Sequence, residues 1–479
     1  MQIAIELQGL LIYFVMLNDI KIIKYYGRND KNRITDLFRF LLWPITKPIK
    51  IAQDIIHQPS KAFPVVDFLK GISVLMVILF HVFFAVFFLF KQEPEKLRQF
   101  VDSIPAWLSF ILAFDKAVDI FFMLSAFLLG YALLKIYDKQ QRIHIGRFYL
   151  HRFFRIYPLF LVALLLYGLA DIDKLMQEGW YSLLFIENIY SKGIIPVQWS
   201  LSIEMQFYLF LPFLMIFVAK SPRPIFWIIV LILLSIIMRF VVALQSPVIY
   251  QTHWYDLFES PNGKVYMDSM YYVIQSRITP LFLGILWAIL LWRYPLFKLN
   301  LNKIWLVSLW IIGLVTIYLS LRFPIYYTDS LYFQNFNETL NLFIVTLHRI
   351  LFSAAILGLV LLAHYQVKQP GSANLFQQIK TAMVEWKGWR LLSELAYPMY
   401  FFHFPFIVLA WVLALGTIDV ESITSISLYR IPLAYVLAVL FTLYFSLWLN
   451  FWIEARFIRY GKQIETKWFG GHNASSNKR

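Results

Sequence analysis

Lys70 and His81 stand eleven residues apart in an otherwise apolar stretch. At about 100° per residue that interval closes to within about 20° of three helical turns and rises about 16 Å, so both side chains fall on one helix face. Lys70 then sits at one mouth of the helix and His81 near the middle of a bilayer, beside Phe80. Ionisable groups inside a membrane are costly and tend to be functional, and a neutral imidazole at that depth can act as a general base. A histidine hydrogen-bonded in a helix interface fits the same residues; the alignment with Lys70 tips the reading toward chemistry.

A second constellation is basic. Arg147, His151 and Arg155 recur every four residues with Arg152 beside them, so a helix gathers them into one patch. Guanidinium groups suit a polyphosphate such as that of coenzyme A, although an anchor to an anionic membrane surface would use the same charges. No Gly-rich nucleotide-binding loop is present, which argues against an ATP motor.

The elements that must carry these residues follow from composition. The 479 residues are 60% hydrophobic and 15% charged with a mean hydropathy of +0.64, more apolar than a soluble core can absorb. Ten stretches read as bilayer crossings, with 153–170 and 277–292 shorter than the rest: 68–90, 117–137, 153–170, 200–219, 225–244, 277–292, 304–321, 342–364, 395–415 and 430–453. Of the 43 Lys and Arg, 31 fall in the N-terminal stretch, the even-numbered connections and the tail, which predicts that both termini are cytoplasmic. The net charge of +15 is thereby explained without nucleic acid. The absence of cysteine excludes disulfides, thiolate catalysis and Cys-ligated metal. Residues 2–16 lack a basic n-region and a small-residue cleavage site, which argues against a removable signal peptide and for an interfacial helix. Residues 33–56 mix Arg33, Arg39, Lys47 and Lys50 with Leu, Phe and Trp, as a helix lying on an anionic leaflet would. The expected organisation is an amphipathic segment over 1–62, a membrane domain over 63–453 and a basic cytoplasmic tail over 454–479.

Three further stretches carry polar groups into spans. They are Asp119 to Gly130, including Ser125-Ala126; Gln198-Trp199-Ser200-Leu201-Ser202-Ile203-Glu204-Met205-Gln206-Phe207-Tyr208; and Tyr397-Pro398-Met399-Tyr400-Phe401-Phe402-His403-Phe404-Pro405. With Asp67 to His81 and Arg152 to Pro158, they resemble membrane acyltransferase family 3, whose members O-acylate surface glycans and some smaller acceptors. The resemblance runs from about residue 63 to about 453. It implies an all-α polytopic membrane protein of about ten transmembrane helices. It implies that His81 is the essential histidine, that Lys70 stands where the family usually has arginine, and that Arg152 and Arg155 are the cytoplasmic arginine pair. Glu204 falls in the family's Trp-Ser-Leu…Glu…Phe-Tyr signature.

Counting from span ends places Asp119, Glu204, Arg239 and Arg349 in the outer half of the membrane. A polar vestibule for an acceptor hydroxyl and structural ion pairing between spans both account for them. Aromatic residues of the 245–276 connection, among them Tyr271 and Tyr272, suit sugar stacking or an interfacial belt.

The combined expectation is a bacterial inner-membrane O-acyltransferase that moves an acyl group, most simply acetyl, from cytoplasmic acyl-CoA to a hydroxyl of a cell-surface or lipid-linked glycan. His81 and Glu204 are the candidate catalytic residues. Lys70, Arg147, Arg152 and Arg155 are candidates for the donor, and Asp67, Asp119, Ser125, Trp199, Ser200, Tyr208, Arg239 and His403 for the acceptor. No metal and no permanently bound cofactor are expected, since His348 and His403 lie in different spans. The expected partners are acyl-CoA, the glycan, the lipid bilayer and envelope-glycan biosynthesis proteins. The rival reading is a transporter or flippase of a lipid-linked sugar, for which inverted repeats or paired broken helices would speak; the sequence has neither.

Overall fold

A computed structural model describes residues 33–58, 63–90, 92–191, 193–254, 256, 262–323, 325, 330–366, 382–419 and 422–469. The interfacial helix expected over 2–16 lies outside them. Among the described residues nine helices are long and apolar enough to cross a membrane, and a tenth apolar helix is shorter. In lipid every backbone polar group needs an internal partner, which a helix supplies within its own segment.

In chain order the main helices are α1 (Arg33–His57), α2 (Pro64–Leu89), α3 (Ala117–Gln140), α4 (Ile145–Gly168), α5 (Gln198–Lys220), α6 (Pro224–Leu244), α7 (Thr279–Arg293), α8 (Lys303–Leu321), α9 (Glu338–Tyr365), α10 (Gly388–Leu415), α11 (Arg430–Leu449) and α12 (Ala455–Phe469). All ten expected spans appear as α2 to α11. The third begins earlier than its apolar run, because α4 already includes Arg147 to Arg155. A π-helical turn, Asn450–Glu454, joins α11 to α12.

Burial sorts the bundle into layers. α3, α7, α9 and α10 are the most buried, whereas α6 and α8 present most of their apolar surface outward, as lipid-facing helices do. α2 packs on α10, α10 on α11, and α3 on α7. The α3–α7 approach is the closest: a Cβ at Gly284 would meet the Met123 carbonyl at 2.2 Å and the Ala126 Cβ at 3.0 Å. Glycine at 284 therefore lets the backbones touch where Ala126 already fills the facing position. α1 lies against α10 and α11, with Trp43 on Trp448 (ring centroids 4.8 Å apart) and Lys47 over Phe451.

α7 has 15 residues, about 22 Å, and falls short of a hydrocarbon core of about 30 Å. The difference is made up by the segment before it, Asn262–Arg277, where short helical pieces and a π-helical turn (Met267–Tyr271) are folded into the protein. Non-helical backbone at that depth is tolerated only where protein or a cavity surrounds it, and Met270, Ser276 and Arg277 are indeed buried. A 3-10 segment, Ala106–Lys116, enters α3 beside them and carries buried Asp115 and Lys116.

Candidate active site

His81 on α2 and His403 on α10 meet. The Nδ1 of His81 lies 2.9 Å from the Val77 carbonyl, and the Nδ1 of His403 lies 2.7 Å from the Tyr400 carbonyl. The Nε2 of His403 is 3.0 Å from the Nδ1 of His81. Two carbonyls accepting at Nδ1 assign that nitrogen the proton in both rings, so His403 Nε2 accepts a share of the His81 N–H. The Nε2 of His81 then carries a lone pair, and His81 keeps some exposure while His403 is 0% exposed. His403, read from sequence as an acceptor contact, thus stands behind His81 as a support.

A proline follows His403 in the same turn of α10. Pro405 has no N–H for the Phe401 carbonyl four residues before it, and the Tyr167 hydroxyl donates to that carbonyl at 2.9 Å. The Tyr400 carbonyl, one residue earlier in the same turn, accepts from the His403 Nδ1.

A second polar cluster lies toward the face where α2 and α4 begin. Ser125 of α3 shares a short hydrogen bond with Tyr208 of α5, and both reach Glu204. Arg152 of α4 reaches Tyr208 and Glu204, and Lys70 of α2 acts on Glu204 and Glu454. Counting from the helix end set Glu204 beside Asp119, Arg239 and Arg349; the structure separates it from them. The first turn of α5 is already recessed, with Gln198, Ser200 and Ser202 buried, so Glu204 lies deeper than its distance from the helix start implies. The other members of the basic patch have carboxylate partners near the C-terminal end of the bundle: Arg147 and His151 pair with Glu465 of α12, and Arg155 lies 3.8 Å from Glu454 of the π-helical turn before it.

At the opposite face, Arg349 bridges Asp115 and Asp119, the latter at 3.0 Å, and Arg277 pairs with Asp119 at 3.1 Å. Arg239 is spent on backbone: its Nε donates to Thr346 at 2.8 Å, Nη2 to Val345 at 3.2 Å, and Nη1 to Ser276. Asp67, at the far end of α2, accepts from Ser393 at 2.7 Å. Ser200 bonds the Tyr400 hydroxyl at 2.7 Å, and the ring of Trp199 packs on Tyr271 and Tyr272. Sequence reasoning passed over Asp115, Lys116 and Arg277 because they lie at span boundaries and read as loop charges. The signal for Arg277 was its position directly before an apolar run.

Glu187 was also passed over. It sits in the connection between α4 and α5, is 1% exposed, and accepts from Ser202 at 2.7 Å and from Gln198 at 3.0 Å, fixing the first turn of α5. Burial pushes its carboxyl up to about 7, against the lowering effect of those donors. Because the folded value exceeds the unfolded one, its contribution to stability is full below about 4.5 and is lost as pH rises through about 7. Thermal stability in detergent should therefore decline between those values, and Glu187→Gln should flatten that part of the profile; an unchanged slope in the variant would assign the dependence elsewhere.

Among the described residues no three His, Asp or Glu side chains converge as a metal ion would need. A family model described as an acyltransferase domain matches residues 63–451. An "Uncharacterized protein" of Haemophilus influenzae is 27% identical over 193 residues, covering 36% of this chain and 74% of its own. A Staphylococcus aureus protein with the name "Putative O-acetyltransferase" is 26% identical over 207 residues, covering 38% of this chain and 30% of its own. Peptidoglycan O-acetyltransferase OatA of Listeria monocytogenes is 26% identical over 170 residues, 28% of this chain and 27% of its own. The matched region thus spans less than a third of the length of the latter two. No solved structure matches. With most of its length matched by the family model, and with its multi-pass helical architecture, the chain belongs to the membrane acyltransferase 3 family.

Proposed function

We propose that the protein is an O-acyltransferase of the bacterial inner membrane that carries acetyl from cytoplasmic acyl-CoA to a hydroxyl of an envelope glycan. The observation that carries the reading is the His81–His403 pair, which engages His81 Nδ1 and leaves Nε2 as the base, on the same helix as Lys70. His81 Nε2 takes the acceptor proton, the oxygen attacks the thioester carbonyl, the C–S bond breaks, and the departing thiolate takes the proton. An acyl-histidine intermediate uses the same atoms in two steps. Lys70 and Arg152 hold phosphates of the donor about 16 Å from His81 along α2, a distance for the pantetheine arm to cover. Glu204 orients that polar cluster. Both termini lie in the cytoplasm, and envelope-glycan biosynthesis proteins are the neighbours in the membrane.

Purified protein supplied with radiolabelled acetyl-CoA should turn the donor over when a glycan hydroxyl is added. Transport of a lipid-linked sugar without donor turnover would replace this reading with that of a flippase. Within the basic patch, Arg152→Ala should raise the apparent KM for acetyl-CoA by about tenfold or more, because a charge-assisted phosphate contact is lost. Arg147→Ala should do less, since Glu465 already pairs with that guanidinium. Equal effects of the two would return the patch to a membrane anchor.

A further inference from the structure

Four buried cations, Lys116, Arg239, Arg277 and Arg349, gather with two buried carboxylates, Asp115 and Asp119, at the end of the bundle where α3 and α7 begin. Three of the cations are accounted for. Lys116 donates to the Phe323 carbonyl, Arg239 to four backbone carbonyls, and Arg349 to both carboxylates. Arg277 differs. It is 1% exposed and stands 3.1 Å from Asp119, yet its Nε, Nη1 and Nη2 all lack a hydrogen-bond partner. A buried guanidinium with its donors unspent is expensive, and native structures rarely leave one so unless another molecule uses it.

Its surroundings suggest what that molecule is. The guanidinium lies over the rings of Tyr271 (5.0 Å), Trp199 (5.2 Å) and Phe122 (5.9 Å). These rings hold the guanidinium plane in place, and the planar fork of arginine fits a carboxylate or phosphate in two-point contact. The rings also lead to the histidines. Tyr400 bonds Ser200, the neighbour of Trp199, its hydroxyl feels the charge of Arg277, and its carbonyl holds His403. Tyr400 therefore ties the helix turn that carries Trp199 to the imidazole pair.

We infer that Arg277, with Trp199 and Tyr271, forms a subsite for the anionic group, carboxylate or phosphate, of an acceptor sugar whose hydroxyl is offered to His81. An anion there would also bring the buried charge of the cluster closer to balance. The inference rests on the acceptor role proposed above, and it can fail without that role failing.

The test is equilibrium binding to the full chain in detergent with three probes: methyl β-D-glucuronide, glucose 6-phosphate and methyl β-D-glucoside. At least one charged sugar should bind about tenfold or more tightly than the neutral one, and which of the two does so tells carboxylate from phosphate. Arg277→Gln should abolish the preference, while Arg277→Lys, which keeps the charge and loses the fork, should retain part of it. Wild-type protein that binds all three equally, or none of them, overturns the inference, and so does an unchanged preference in Arg277→Gln. If Arg277→Gln fails to fold, the wild-type comparison and Arg277→Lys still decide. Acetyl transfer is scored separately: transfer without charge preference removes this subsite alone, whereas charge preference without transfer removes the proposed reaction and leaves the subsite.

Discussion

His81→Asn is expected to yield an inserted, folded protein with acetyl transfer reduced by about 10²–10⁴ or more, the range for loss of a general base. Asparagine keeps a polar group in the interface and removes the basic nitrogen, so the substitution separates chemistry from packing. A structural histidine would tolerate Asn and lose stability as Ala. His403 is a positioning residue, and the expected signature of His403→Gln is a fall of up to about 10² in kcat with both KM values unchanged, since the ring it supports shifts while neither substrate contact is removed. Transfer normalised to protein abundance, beside thermal stability in detergent, measures both. Near-normal turnover in His81→Asn would end the catalytic assignment.

The largest stability effect should come from Arg349→Met. Arg349 holds Asp115 and Asp119 together inside the bundle, and truncating one member of a buried ion group strands the others at a cost of about 3–5 kcal/mol. Asp119 keeps Arg277, so Asp115 bears most of the loss. Adding Asp115→Asn removes the stranded charge and should recover part of the stability, which a double-mutant cycle reads as coupling between the two positions. A single variant that melts with the wild-type protein would show that the ion group contributes little to holding α3 and α9 together.

Nine of the described helices were legible because each is an apolar run of membrane length, and the shorter α7 because its run is apolar throughout; that signal survives without any knowledge of partners. The start of α4 was blurred because Arg147, His151, Arg152 and Arg155 dilute its hydropathy while leaving its helical propensity intact. His81 and the motif containing His403 were visible as isolated imidazoles in apolar surroundings; that the two rings touch was not, because contact between residues 322 apart is a property of how α2 and α10 pack. Depth was the weaker inference. Glu204 was placed by counting residues from a span end, which assumes that every helix starts at the membrane surface, and α5 starts inside the protein. Glu187 and Arg277 were lost for the complementary reason: connections are read as solvated, whereas here the connections before α5 and α7 are folded into the core.

The shortness of α7 bears on how the protein senses salt. Because that helix stops about 8 Å short of a full crossing, the connection before it folds inward and buries the Asp115–Asp119–Arg277–Arg349 group in protein. Counterions screen the partly exposed charges of Arg147 and Arg155 within a Debye length of about 8 Å at physiological ionic strength, whereas the buried group is screened much less. Ionic strength is therefore a dial chiefly on one end of this bundle, and the other end answers to it weakly.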